Sequence, residues 1–513
     1  MEAIRHAQQG GDLALATELL GRQWVHLVLD GEESTLATLL AGLPAELADT
    51  DSEIATVTAF DRLTRSRWAD ADALLATAER TLDDLPPERR RRAETALGTV
   101  QLFRARRLGD LDAVLDRAAA LLHADDVEPA ALALMNLGIA ETWTFRLADA
   151  EPHLQQGLEL ARRAGRPFVE VGCLGALGTV AHLTHRLTRG EEQLCEAIAL
   201  AERHGWATHP IVGVSYLSLA AIHVDRGLLT EGERWLQRAE PILADAPEPA
   251  ASVGLRHTQG MVAFASGHYA DALTAFRDGE RLTGQLRAPH FLGIIERHWQ
   301  LRALLALGDT DEVRAGLAEA DDSALWLNLR ARVLLHEGDP EGVVAVVAPV
   351  LVGDAFVYLP VFEIESLLLD AVARTQLGEA DAAERSVERA LAIAEPEARA
   401  FMFMTIPGVR DVLARHPVHR TAHAAHLKRV LDRLGGVEAV QPAEPLSDRE
   451  LAVLRFLPTN LSAAEIGSEL FLSVHTVKTH MRKLYAKLDV HTRAEAVQKG
   501  RELGLLGSFT RIV

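Results

Sequence analysis

The sequence predicts an all-α protein: a long stack of paired helices followed by a small four-helix module. Three observations carry that expectation. A turn built from Gly and an acidic residue recurs about every forty residues through the first 415, the mark of a helical repeat. Four helix-start signals crowd into residues 447–495. One of the helices they start carries positive charge and no acid.

The repeat comes first. Its turns read Gly11-Asp12, Arg67-Trp68-Ala69-Asp70, Gly109-Asp110, Arg146-Leu147-Ala148-Asp149, Gly227 to Glu231, Gly267 to Asp271, Gly308-Asp309, Gly338-Asp339 and Gly378-Glu379, with a weaker one at Arg186 to Glu191. Gly supplies the left-handed residue that ends one helix. The acid after it stands where the next helix exposes free N–H groups. One helix pair cannot bury its apolar stripe, but stacked pairs bury a continuous core. Connections between repeats hold helix breakers: Gly165-Arg166-Pro167, Gly205 to Pro210, and Ala288-Pro289. The unit resembles tetratricopeptide repeats, lengthened, so residues 1–415 are expected to form a tetratricopeptide-like α-solenoid superhelix.

Residues 416–445 read as a linker, with Gly435-Gly436 and Val440 to Pro445 as its flexible end. His416, His419, His423 and His426 lie here, and His419 and His423 have the i, i+4 spacing of a helical metal pair. Arg420 fills the place of the Glu in a His-Glu-x-x-His site, and no nearby Cys or acid cluster completes a ligand set. No metal and no other cofactor is expected.

Residues 446–507 form the terminal module. Ser447-x-x-Glu450, Ser462-x-x-Glu465 and Thr492-x-x-Glu495 each fit a capping box, and Ser473 offers a hydroxyl cap alone. From Val474 to Leu488 the apolar residues Val477, Met481, Leu484 and Leu488 mark one helix face. Lys478, Thr479, Arg482 and His475 turn away from it. The four cations Lys478, Arg482, Lys483 and Lys487 suit a helix lying against phosphates, because each neutralised phosphate releases counterions.

This module resembles the LuxR-type helix-turn-helix of bacterial transcription factors. The resemblance rests on Leu446, Ser447, Arg449 and Glu450; on Glu465 and Ile466; on Ser473, Thr476, Val477, Lys478 and His480; and on Lys487, Leu488, Val490, Thr492, Arg493 and Ala496. It departs at Asn460, Ala463 and Ala464, where the family often has Gly and then Asn-Lys/Arg. The resemblance implies a recognition helix in the major groove. Lys478, Thr479 and Arg482 would meet base edges. Ser473, His475, Thr476 and Lys487 would hold register on phosphate. Arg and Lys suit guanine O6/N7, and a Thr methyl suits a thymine methyl. The family also implies a homodimer through the fourth helix, about Arg493 to Leu503.

Repeats followed by this module resemble the C-terminal portion of MalT-like regulators. In that family a nucleotide-binding switch precedes the repeats. Here no lysine occurs before Lys428 and no Gly-Lys-Ser/Thr occurs at all, so no phosphate-binding P-loop is expected. The chain thus resembles such a regulator without its NTPase.

Charge distribution agrees. The net charge is −20. From Leu446 onward ten Lys+Arg face seven Asp+Glu, a balance of +3, which leaves −23 upstream. A basic module on an acidic body is the footprint of a small DNA reader. Pro349, Asp354 and Pro360 interrupt the most apolar stretch, Val343 to Phe362, so no membrane span is expected. Two cysteines, Cys173 and Cys195, fit free thiols and a cytoplasmic location. No order of residues points to an enzyme.

Aromatic and histidine side chains gather in mid-chain. Trp143, His182, Trp206, Tyr216, His257 and Trp299 are candidates for a small-molecule pocket in the repeats, though aromatics at helical spacing also serve as core. In the resembled family the repeats sense an inducer. The expected function is therefore a sequence-specific transcription regulator that binds promoter DNA, responds to an inducer or protein partner, and works with RNA polymerase. A protein-interaction scaffold with a vestigial or dimerising helix-turn-helix stays open as the alternative.

Overall fold

The computed structural model describes residues 1–513 apart from 109, 111–112, 114–126, 246–248, 287–289, 291, 319, 437–445, 458–460, 471, 489, 491 and 503–513. The turn at Gly109, the Ala288-Pro289 connection, Asn460, the flexible end of the linker and the last residues of the module lie partly or wholly outside the described residues. Among those described, every regular element is helical. The chain divides into two compact units.

The first unit comprises Met1–Ile222, Arg234–Leu255 and Arg281–Gly293. Its helices run in pairs, for example Val127–Trp143 with Leu147–Ala164 and Pro167–Leu183 with Leu187–Arg203. The two members of a pair differ. Pro167–Leu183 is buried almost all round, while Leu187–Arg203 buries a stripe led by Leu187, Leu194, Ala197 and Ala201. An all-round apolar helix lies inside and an amphipathic one faces water. The pairs lock through a size match. A Cβ on Gly138 would stand 2.4 Å from Leu154, and one on Gly178 would stand 2.5 Å from Leu194. Each inner-helix glycine receives a large side chain from sixteen residues on.

The turns keep the expected chemistry. Gly11, Gly227, Gly267, Gly308, Gly338 and Gly378 all have positive φ, between 70° and 84°. Asp12, Asp309 and Asp339 cap the following helices, accepting from the N–H of Leu15, Glu312 and Gly342. The turns that lack glycine adopt the same conformation: Ser66, Phe145 and His185 precede Arg67, Arg146 and Arg186 with φ of 57°, 63° and 66°. A side chain there costs roughly 1–2 kcal/mol.

The second unit comprises His223–Glu233, Arg256–Glu280 and Ile294–Val513. It repeats the size match, since a Cβ on Gly260 would stand 2.5 Å from the Phe276 ring. Its core also holds charge. Glu365 and Arg302 are fully buried and Arg332 nearly so. The Glu365 carboxylate accepts from Arg332 Nε at 2.5 Å and lies 3.4 Å from Arg302 Nη1. Both guanidiniums also reach Thr405, Arg302 its hydroxyl and Arg332 its carbonyl, each at 2.9 Å. Burial pushes the Glu365 carboxyl up, but the two arginines outweigh it and hold it at about 2.

Two expectations change. Residues 416–423 are not helical. His419 and His423 therefore do not share a helix face; Pro417 interrupts the backbone there. His416 and His423 instead meet Glu388 and Glu395, each at 2.6 Å. A helix then runs Ala424–Gly436 and buries Leu427 and Val430 completely. Much of the segment read as linker thus belongs to the folded body. No helix among the described residues is long and apolar enough to cross a membrane. Val343 to Phe362 is divided between helices Pro340–Val352 and Pro360–Gln376.

Candidate nucleic-acid interface

The terminal module has four helices, Asp448–Phe456, Ala463–Glu469, Val474–Leu488 and Arg493–Glu502. They close around a core of their own, made by Val453, Leu454, Leu457, Ile466, Val477, Leu484, Leu488, Val490 and Ala496. Caps fix where each helix begins. Ser447 and Ser462 form complete capping boxes with Glu450 and Glu465. Ser473 and Thr492 accept from the N–H of Thr476 and Glu495, each at 3.1 Å. The bond from Ser462 N–H, with that from its hydroxyl, holds the Glu465 carboxyl below the usual range.

Two contacts set the angle between helices. A Cβ on Gly467 would stand 2.7 Å from the carbonyl oxygen of Leu472. Glycine is thus what lets the second helix approach the turn into the third. Arg493 clamps the end of the first helix: its guanidinium donates to the carbonyls of Leu457 at 2.8 Å, Leu461 at 2.7 Å and Phe456 at 3.2 Å. Sequence motifs marked Arg493 without showing this job.

The outer face of Val474–Leu488 is as the sequence arranges it. Lys478 and Arg482 are exposed, as are His475 and Ser473. Lys483, not among the residues assigned a contact from sequence, is exposed as well. Thr479 is half-buried and its hydroxyl donates to the His475 carbonyl at 2.9 Å. Thr476 is half-buried and shares a 2.7 Å bond with the Ser473 hydroxyl.

Lys487 departs from its expected place. Its ammonium lies 3.0 Å from the buried Glu450 carboxylate, and its side chain is only 16% exposed. Burial pushes Glu450 up, but the Ser447 N–H and the Lys487 ammonium prevail and hold it low. The cause is electrostatic. A buried capping carboxylate needs a cation, so Lys487 supports the first helix and is not a free phosphate contact in this structure.

The six pocket residues proposed from sequence are dispersed. Trp143 lines a cavity of about 570 Å³ in the first unit. Trp206 packs against Phe168 and His204. Tyr216 is buried, donates to the Ala207 carbonyl at 3.0 Å and lies under the Arg238 guanidinium. His182 is half-buried at the end of its helix. His257 and Trp299 lie in the second unit, where His257 faces Glu296 at 3.2 Å and Trp299 stacks on Phe276.

Fold and site together define a class: a helical-repeat protein that ends in a LuxR-type helix-turn-helix. Residues 107–408 match the family described as the MalT-like TPR region. Residues 444–499 match the bacterial regulatory proteins of the luxR family. The first match spans more than half of the chain, and the chain belongs to the MalT-like TPR family. A nitrate/nitrite response regulator protein homolog of Haemophilus influenzae is 49% identical over 55 residues, 11% of this chain and 26% of that protein. The HTH-type transcriptional regulator MalT of Klebsiella pneumoniae is 35% identical over 97 residues, 18% of this chain and 10% of that protein. The matched stretches thus span well under two thirds of these relatives. A Rap protein complexed with Competence and Sporulation Factor aligns with a TM-score of 0.44 and 14% identity, over 74% of this chain and 98% of that one.

Proposed function

We propose that the chain is a DNA-binding transcription regulator whose repeats receive a signal and whose Val474–Leu488 helix enters the major groove. The observation that carries this is the exposed cationic row Lys478, Arg482 and Lys483 on a helix whose opposite face is locked into the module's core. Lys478 and Arg482 read base edges, with Thr479 offering its methyl. Ser473, His475 and Thr476 meet the backbone, joined by Lys483. Two copies pair through the Arg493–Glu502 helix and engage half-sites about one helical turn, roughly 34–36 Å, apart. A ligand or partner held by the repeats shifts the population of chains able to present two modules at once. The expected setting is the cytoplasm, with RNA polymerase as the downstream partner.

The test is fluorescence anisotropy on promoter DNA at several salt concentrations. Lys478→Ala and Arg482→Ala should each lose about 1–3 kcal/mol and relax preference at one base position. Lys483→Ala should weaken all sequences alike and lower the salt slope by about one. Unchanged affinity in the Lys478→Ala/Arg482→Ala double variant would leave the scaffold reading in its place.

A further inference from the structure

The cavity in the first unit is built to hold something polar as well as apolar. Trp24, Phe60, Phe103, Phe168 and Met135 give it an aromatic and apolar wall. Its volume, about 570 Å³, falls within the roughly 300–1,000 Å³ of small-molecule sites. Among the described residues, Asn136 Oδ1, Trp143 Nε1 and Ser215 Oγ on its lining have no hydrogen-bond partner. Their residues are 1%, 8% and 0% exposed. Leaving a buried donor or acceptor unsatisfied destabilises the fold, and here such atoms border one cavity.

Their neighbours explain why these three stand apart. Asn136 spends its amide on the Leu132 carbonyl at 2.8 Å, which leaves its oxygen as acceptor. Thr142 and Thr179, also on the lining, are satisfied by the Gly138 carbonyl and the Ser218 hydroxyl, each at 2.7 Å. Asn136 and Trp143 are seven residues apart on one helix, hence on the same face. Trp143 is held by stacking on His290 at 5.6 Å. Ser215 comes from a different helix, Pro210–Asp225.

The charge on the wall is one-sided. Arg65, Arg106 and Arg107 line the cavity, Arg65 with its Nε also donating to Asp61 at 2.9 Å, against one lining carboxylate, Glu33, which is engaged by His209 at 3.2 Å. Arg106 and Arg107 also lie over the Phe103 ring at 5.5 Å. The Trp143 donor calls for an acceptor on the ligand, and the Asn136 oxygen calls for a donor. The aromatic wall calls for a ring, and the arginines for an anion.

We infer that this cavity is a binding site for a hydroxylated aromatic acid, and that such a molecule is the signal the repeats receive. The second clause rests on the regulator reading above; the first does not. The ring lies among Trp24, Phe60 and Phe103. The carboxylate faces the arginines, the indole N–H and the Ser215 hydroxyl serve its acceptors, and the ligand hydroxyl donates to Asn136.

Isothermal titration of the full chain with 4-hydroxycinnamate tests the site. One equivalent should bind. Trp143→Phe and Ser215→Ala should each weaken binding about five- to ten-fold, as loss of one hydrogen bond predicts, while circular dichroism and melting temperature stay close to wild type. Cinnamate, which lacks the donor for Asn136, should bind the wild type about five-fold more weakly. No saturable binding of either acid, or equal binding by wild type and both variants, overturns the assignment. DNA anisotropy with and without the acid separates the two clauses. A saturable site that leaves DNA affinity unchanged keeps the site and removes the signal. DNA binding that depends on Lys478 and Arg482, with no bound acid, keeps the regulator and removes the site.

Discussion

Arg493 should decide whether the terminal module survives as a folded unit. Its guanidinium holds three carbonyls at 2.7–3.2 Å. Hydrogen bonds to a charged group contribute about 1.5–3 kcal/mol each, but Arg493 is half-exposed and recovers hydration when the bonds are lost. A net cost of about 2–4 kcal/mol for Arg493→Met follows. At roughly 0.05–0.15 kcal/mol per residue, a module of about sixty residues has only about 3–9 kcal/mol in total. Hydrogen exchange on the full chain is the suitable assay. All seven tryptophans lie at or before Trp326, so tryptophan fluorescence does not report on the module. Protection of the amides in 450–500 should fall about 30- to 1,000-fold, at tenfold per 1.4 kcal/mol, with the repeats unaffected. Arg493→Lys reaches one carbonyl and should fall between. Wild-type protection in Arg493→Met would refute the clamp.

Three further outcomes follow from the geometry. Gly467→Ala sets a Cβ 2.7 Å from the Leu472 carbonyl; it should cost about 1–3 kcal/mol by overpacking and reduce DNA affinity, and wild-type affinity with wild-type protection would contradict it. Ser66→Gly relieves a φ of 57° and should stabilise by about 0.5–1 kcal/mol after the added chain entropy, read as a higher urea midpoint; an unchanged or lower midpoint would show no strain there. His426 is fully buried, and burial, with Arg429 beside it, lowers its pKa from 6.5 to about 4. The unfolded chain then binds the proton first, so stability present above pH 6.5 is lost as pH falls toward 4. His426→Leu should flatten that part of the stability–pH curve, and an unchanged slope would place the dependence elsewhere.

The cationic helix of the terminal module was legible because its apolar period and the Ser473 cap are local features, and the structure bounds it at Val474–Leu488 as the sequence does. The repeat turns were legible from an acid opening the following helix, with Gly ahead of it in most of them. Ser66, Phe145 and His185 stand where most of the turns have Gly, so their left-handed φ had no local mark although the turns themselves did. The pairs Gly138 with Leu154, Gly178 with Leu194 and Gly260 with Phe276 share a spacing of sixteen. That signal was present in the chain but shows only once the inner and outer helices are told apart. The pocket was harder. Inner helices are buried on nearly every side, so periodicity does not show which aromatic borders a cavity and which fills the core. Lys487 looked like its cationic neighbours, because the pull of Glu450, thirty-seven residues earlier, leaves no trace in local sequence.

A stack of repeats ordinarily behaves like beads that can melt singly, since each depends on its immediate neighbours. Glu365 departs from that rule. Arg332 comes from the helix pair before its own and Arg302 from the pair before that, and Thr405 ties in the chain beyond. Losing either end strands ions in a dry interior, at a cost of about 3–5 kcal/mol. Residues 292–405 should consequently melt as one block, and swapping any single repeat from this stretch into another array would carry an unmatched charge with it.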